Sequence, residues 1–187
     1  MSPDTAQSRV QIRPLRPAQW EAVRAARLRA LAESPGAFVA TLEQEREYGE
    51  ERWRQRLADA AYFGAWAGDA DGAPPRLTGM VATFPEEASR PGPAAPAACW
   101  HLVAMWVSPD CRGRGIADRL VEAVCDLARA RGAARVALWV ADANPRARTA
   151  YERLGFAFSG ERGLLRDHEP DSGEARMTRD LGPRPGS

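Results

Sequence analysis

The sequence predicts an α/β fold: one central, mixed and mostly antiparallel sheet of about six or seven strands, flanked by about four helices. Three observations carry this. Segments of strand and helix periodicity follow one another as strand, two helices, three strands, helix, strand, helix, strands. The run "WHLVAMWV" (100–107) is apolar on both alternating faces, as a central strand must be. Directly after it, the turn "CRGRG" (111–115) opens an amphipathic run, which is a strand–turn–helix unit.

In chain order, "VQIRPL" (10–15) is a short first strand. Pro17 suits a first helical turn, and Trp20, Val23, Arg27 or Leu28, and Leu31 then recur at helical spacing until "SPG" at 34–36. "LEQEREYGEERWRQRLAD" (42–59) is a second, acidic helix weakened by Gly49. "AYFGAWAG" (61–68) and "RLTGMVATF" (76–84) form a hairpin, and the Pro/Ala stretch 85–98 is loop. In the 100–107 strand, alternation puts Trp100, Leu102, Ala104 and Trp106 on one face and His101, Val103, Met105 and Val107 on the other. The helix after the turn runs to about Arg131, with Ile116, Leu120, Val124 and Leu127 as its buried stripe and Gly132 as its stop. "RVALWV" (135–140) is a second buried strand, and a helix spans about Asn144 to Leu154, ended by Gly155. "FAFSG" and "EARMTRDL" (174–181) close the sheet around a polar loop at 161–173. One domain over 9–181, with loose tails at 1–8 and 182–187, accounts for the 187 residues.

Composition excludes several classes of function. A formal charge of +1 gives no footprint for nucleic acid or an anionic membrane. No stretch is long and apolar enough to span a bilayer, and "MSPDTAQSRVQIRP" has no signal-peptide core. Three irregularly spaced cysteines make neither a disulfide framework nor a metal cluster, so no metal is expected and a reduced, cytoplasmic setting fits. All 26 basic residues are arginine, a compositional bias shared by the many Ala, Gly and Pro residues. The lack of lysine rules out a P-loop of the GxxxxGK type and any lysine Schiff base.

The turn itself is an anion site by construction. Unpaired N–H groups at a helix start carry partial positive charge, glycines admit close approach, and Arg112 and Arg114 add forked donors. A dinucleotide fingerprint does not fit, because Asp118 stands at the third glycine position and five residues separate strand from loop. An ordinary loop into a helix is the remaining alternative from this segment alone.

Two blocks then meet at a family spacing. "MWVSPDCRGRGIADRL" resembles the acetyl-CoA signature of the GNAT superfamily of N-acyltransferases, [RQ]-x-x-G-x-[GA], through Arg112, Gly115 and Ala117. "NPRARTAYERLGF" resembles the same family's N-x-x-A-x-x-x-Y-x-x-x-G-F through Asn144, Ala147, Tyr151, Gly155 and Phe156. The one departure is Ala117 where Gly is commoner. The resemblance implies acetyl-CoA as cosubstrate and direct transfer of acetyl to a primary amine of a small molecule. It also implies roles: the backbone of Met105, Trp106 and Val107 pairing with the pantetheine arm, and the amides of Gly113, Arg114, Gly115, Ile116 and Ala117 holding the pyrophosphate. Asn144 would bond the cofactor arm, or simply cap its helix. Ala147 would leave room, and Tyr151 would donate to the departing sulfur unless it is a core tyrosine.

An alkyl amine with pKa about 10.4 is neutral in only about one molecule in 2,500 at pH 7, so a base is useful. His101 is the candidate; Glu86, Glu87 or ordered water are the others. Glu43, Glu47 and Glu50 form either a solvated stripe or an acidic lip for a cationic amine. His168 sits alone in the polar loop. Cys111, beside the phosphate turn, is incidental to direct transfer. Two rival functions stay open: acetylation of protein or peptide amines, and a CoA-binding module without turnover. The resemblance leaves a homodimer open.

Overall fold

The computed structural model describes residues 10–68, 75–86, 99–166 and 172–182. Both expected tails, apart from Gly182, most of the Pro/Ala loop with Glu87, and His168 lie outside the described residues. The elements are β1 (Gln11–Leu15), α1 (Trp20–Glu33), α2 (Leu42–Arg46), α3 (Glu50–Asp59), β2 (Ala61–Ala67), β3 (Arg76–Pro85) and β4 (Cys99–Val107), followed by α4 (Ile116–Ala130), β5 (Arg135–Ala141), α5 (Pro145–Arg153), β6 (Ala157–Leu164) and β7 (Gly173–Asp180). The strands form one sheet in the order β1-β2-β3-β4-β5-β7-β6, antiparallel except for the β4–β5 pair. The mixed α/β sheet and the central place of the 100–107 strand are as the sequence reads.

The acidic helix is two helices. Thr41 and Gln44 form a capping box: Thr41 Oγ1 accepts from Gln44 N (3.3 Å) and Gln44 Oε1 from Thr41 N (3.0 Å). This short helix ends before Gly49, which caps α3. The break gives five α-helices among the described residues where about four were expected.

Two cores sandwich the sheet. On one face α4 lays Ile116, Leu120, Val121, Val124, Cys125 and Ala128 against Val136, Leu138 and Val140. Ala128, not Leu127, completes that stripe, and each fully buried aliphatic there stabilises by roughly 1.5–3 kcal/mol. On the other face α1 and α3 pack Val23, Ala30, Trp53 and Leu57 against Met80, Ala82 and Trp106.

Two irregularities shape the centre. β4 and β5 pair only over Cys99–His101 with Arg135–Ala137 and then part. β4 also carries a bulge: Ala82 faces Val103, yet Met80 faces Trp106, so one extra residue is accommodated at Ala104, with φ +55°. The bulge overturns the simple alternation expected for this strand. Trp100, Leu102, Met105 and Val107 face the α4 side, while Val103, Ala104 and Trp106 face the α1 side. His101 stacks on Phe84, its cross-strand partner, on the α1 side (centroids 5.6 Å apart). His101 and Met105, expected on one face, therefore lie on opposite faces.

Candidate active site

The gap between β4 and β5 opens into a cleft of about 1150 Å³ that runs from the start of α4 to the inner side of α1. At the α4 end the chain leaves β4 at Ser108, whose N–H donates to Thr78 O (2.8 Å), and makes one tight turn through Pro109–Cys111. Gly113 and Gly115 follow at φ +75° and +70°, a region where a Cβ is strained. A Cβ built on either would meet nothing within 4 Å, so conformation, not crowding, requires glycine here. The first N–H to find a helical acceptor is that of Arg119, on Gly115 O (3.2 Å). The amides before it, at the positive end of a 15-residue helix, are left for a ligand.

The two arginines of the turn part company. Arg112 donates from Nε to Val107 O (2.9 Å) and from Nη2 to Glu33, which also accepts from Trp106 Nε1 (2.9 Å). Its side chain thus braces the corner against the end of α1. Arg114 is exposed and does not line the cleft. Asp118, in the first turn of α4, pairs with Arg153 of α5 (3.0 Å), both at the cleft wall.

Of the other residues singled out, Met105, Val107, Gly113, Gly115, Ile116, Ala117, Asn144 and Ala147 all line the cleft, as does Trp106, whose side chain is otherwise buried against α1. Asn144 Oδ1 accepts from Ala147 N (3.1 Å), so its helix-capping role is real; its side-chain nitrogen makes no bond among the described residues. Tyr151 stands on the α4 side of the cleft, edge-on to Phe156 (5.7 Å), with Ala147 and Leu154 on the same face. Burial pushes its phenol above the ordinary value, which keeps it a neutral donor.

His101 lines the same cleft, and burial holds its pKa below the usual imidazole value; Glu86 opposes this and Arg176 adds to it. Glu86 is bound to Arg176 Nη2 and is not a free base. Cys99, beside them, is pushed up to about 12 by burial and by Glu86, which makes it an inert thiol. Glu43, Glu47 and Glu50 are all exposed.

Sequence reasoning missed a buried ionic cluster at the α1 end. Glu45, fully buried, accepts from Arg27 Nε (3.2 and 3.1 Å) and Nη2 (3.0 Å). Arg56 Nη1 also lies 3.0 Å from Glu45 Oε1, without hydrogen-bond alignment. Arg27 stacks on Phe38 (4.4 Å) and Arg56 on Trp53 (5.3 Å). Burial raises the Glu45 pKa, but the two guanidiniums outweigh it and hold the carboxyl below its usual range. A signal was present: an arginine on the apolar stripe of α1, where Leu28 was the alternative. Glu174 of β7 is the other unanticipated wall residue; burial and the charge of Asp142 raise its pKa. Next to this end Arg166 donates to Pro35 O (2.9 Å) and Phe38 O (3.1 Å), which ties the strand-end loop to the α1–α2 segment.

A sheet parted beside its central strand, a bulge at the parting, and a donor-lined turn at a helix start together frame one cleft in a mixed α/β fold. The Acetyltransferase (GNAT) family model matches residues 21–156, and the chain belongs to that family of acyltransferase enzymes. Mycothiol acetyltransferase of Beutenbergia cavernae is 34% identical over 137 residues, covering 73% of this chain and 40% of that protein. Streptothricin acetyltransferase of Streptomyces lavendulae is 41% identical over 68 residues, 36% of each chain. The chain thus spans well under half the length of either curated relative. A GNAT-family acetyltransferase from Streptococcus pneumoniae shares the fold, with TM-score 0.71 at 18% identity over 93% of this chain and 100% of that one. Among the described residues no group of side chains suits a metal ion, and no helix is long and apolar enough to cross a membrane.

Proposed function

We propose that this protein is an acetyl-CoA-dependent N-acetyltransferase acting on a primary amine of a small molecule. The observation that carries the reading is the continuity of one cleft from the free amides around Gly113–Ala117, past the open edge of β4, to Tyr151 and His101. The turn's amides fit a diphosphate, and the unpaired edge of Met105–Val107 fits the amide groups of a pantetheine arm. Acetyl-CoA supplies an activated thioester. His101, neutral at pH 7, accepts the proton that the attacking amine gives up. The new C–N bond forms as the C–S bond breaks, and the Tyr151 hydroxyl hydrogen-bonds the departing thiolate, whose ordinary pKa is about 8.5. The names of the two curated relatives, acetyltransferases of mycothiol and streptothricin, support a small acceptor. So does the tie that Arg166 makes to Pro35 O and Phe38 O, which joins the end of β6 to the α1–α2 segment beside the acceptor end.

The test is CoA release measured over a panel of amines and peptides. Tyr151→Phe is expected to lower kcat by about 100-fold while leaving CoA affinity unchanged. Equal rates for variant and parent would remove Tyr151 from the reaction. Turnover with peptides alone would replace the small-molecule reading, and CoA binding without any turnover would make the chain a binding module.

A further inference from the structure

The acceptor end carries a charge that the protein itself does not balance. Arg27 has a side chain only 8% exposed, and Glu45 has one only 1% exposed. Two guanidiniums, the buried Arg27 and the half-buried Arg56, share that single carboxylate, which leaves one positive charge unbalanced at the cleft wall. Arg27 spends Nε and Nη2 on Glu45, and its buried Nη1 has no acceptor. Such a donor costs free energy comparable to a lost charged hydrogen bond unless a ligand supplies the acceptor. Arg27, Arg56 and Tyr62 all line the cleft, on the side away from the phosphate turn. Resting on the N-acetyltransferase reading, we infer that the acceptor is an amino carboxylic acid, whose carboxylate is received by Arg27 with Arg56 beside it.

A singly charged carboxylate fits better than a phosphate, because it brings the cluster to neutrality without overshooting. A guanidinium and a carboxylate are also planar partners whose donors and acceptors match. Across the cleft stands Glu174, of opposite sign, so the acceptor chamber is cationic at α1 and acidic at β7. That polarity matches a molecule with an anionic and an amino end. Phe38 and Leu165 give the chamber apolar wall, which suits an amino acid with an apolar side chain.

The first measurement needs no variant. Each of the twenty L-amino acids is compared with its carboxamide as acceptor for the wild-type protein, by CoA release. The acids that are turned over are expected to exceed their amides in kcat/KM by about tenfold or more, through KM. Amides that serve equally well, or an enzyme that prefers plain alkyl amines, would overturn the inference while leaving N-acetylation intact. Arg27→Lys keeps the charge against Glu45 and loses Nη1; it is expected to bring the kcat/KM values of acid and amide within about threefold of each other. A preference that persists in a folded Arg27→Lys protein would also overturn it. Should no amine be turned over although CoA binds, the enzyme reading falls, and the cluster is read separately by thermal unfolding. There the acids must stabilise the protein more than the amides do at equal concentration, and equal stabilisation refutes the assignment.

Discussion

At the α4 end of the cleft, the donors are main-chain N–H groups of one continuous segment, Gly113 to Asp118. At the α1 end, the polar groups are side chains from α1, α2, α3, β4 and β7, brought together only by the fold. The α4 end depends on backbone shape: two residues at positive φ and a helix start. The α1 end depends on charge, with one buried carboxylate holding two buried or half-buried guanidiniums. The difference teaches that donors built from backbone can be written locally in the sequence, whereas a cluster built from charged side chains is distributed along it. It also predicts that the two ends fail in different ways.

The largest effect is expected at the α1 end. Glu45→Ala leaves two arginines facing each other without a counter-charge, and is expected to cost about 3–5 kcal/mol of stability. Denaturant unfolding checks this, with Arg114→Ala as the contrast at the other end. Arg114 makes no contact with the cleft, so its loss is expected to change stability by no more than about 0.5 kcal/mol. Glu45 also sets a pH dependence. Its folded pKa is lowered, so the stability it contributes is present above its unfolded value of 4.5. That contribution is lost as pH falls through the folded value, and Glu45→Gln should flatten the acid limb of the unfolding curve. Equal stability of Glu45→Ala and parent would show the cluster to be solvated, and would erase the contrast between the two ends.

The same contrast explains what was legible in the sequence. The turn and its helix could be read because glycine spacing and an amphipathic stripe are local properties of residues 111–128. The sheet was legible from β4 outward for the same reason, its apolar alternation being intrinsic to the segment. Three features were not legible. The bulge at Ala104 is fixed by the register of β3 against β4, so the face of Met105 relative to His101 could not be read from β4 alone. The role of Arg112 depends on Glu33, which is 79 positions away in the chain, and its guanidinium serves the corner before any phosphate. The Arg27–Glu45–Arg56 cluster joins three helices, and only the placement of an arginine on an apolar stripe hinted at it.

An intermediate effect is expected at the α4 end. Gly115→Ala meets no atom, but places a Cβ at φ +70°, a strain of about 1–2 kcal/mol. Thermal unfolding should show a modest loss of stability, while calorimetry shows CoA affinity reduced by about tenfold, since the amides move with the turn. Unchanged affinity would mean that the turn's exact backbone shape does not hold the diphosphate, and the α4 end would then resemble the α1 end in resting on side chains.

The smallest effect lies between the two ends, at His101. Burial lowers its folded pKa below the ordinary value of 6.5, so the stability it contributes is complete above that value and declines as pH falls through the window beneath it. As the base, it should give kcat/KM an acid limb centred below 6.5, which His101→Gln removes. The two charged neighbours act with opposite sign, which gives a direction as well as a size. Glu86→Gln removes the group that favours imidazolium and leaves Arg176 without that partner, so the limb should move further to acid. Arg176→Gln does the reverse, and the limb should move toward neutral. A limb that ignores both substitutions while Tyr151→Phe remains slow would assign the proton to another acceptor, with Glu174 of the facing wall the first to examine. Its raised pKa would then place the limb's origin on the distributed side of the cleft, where acceptor charge and catalytic charge share one electrostatic field.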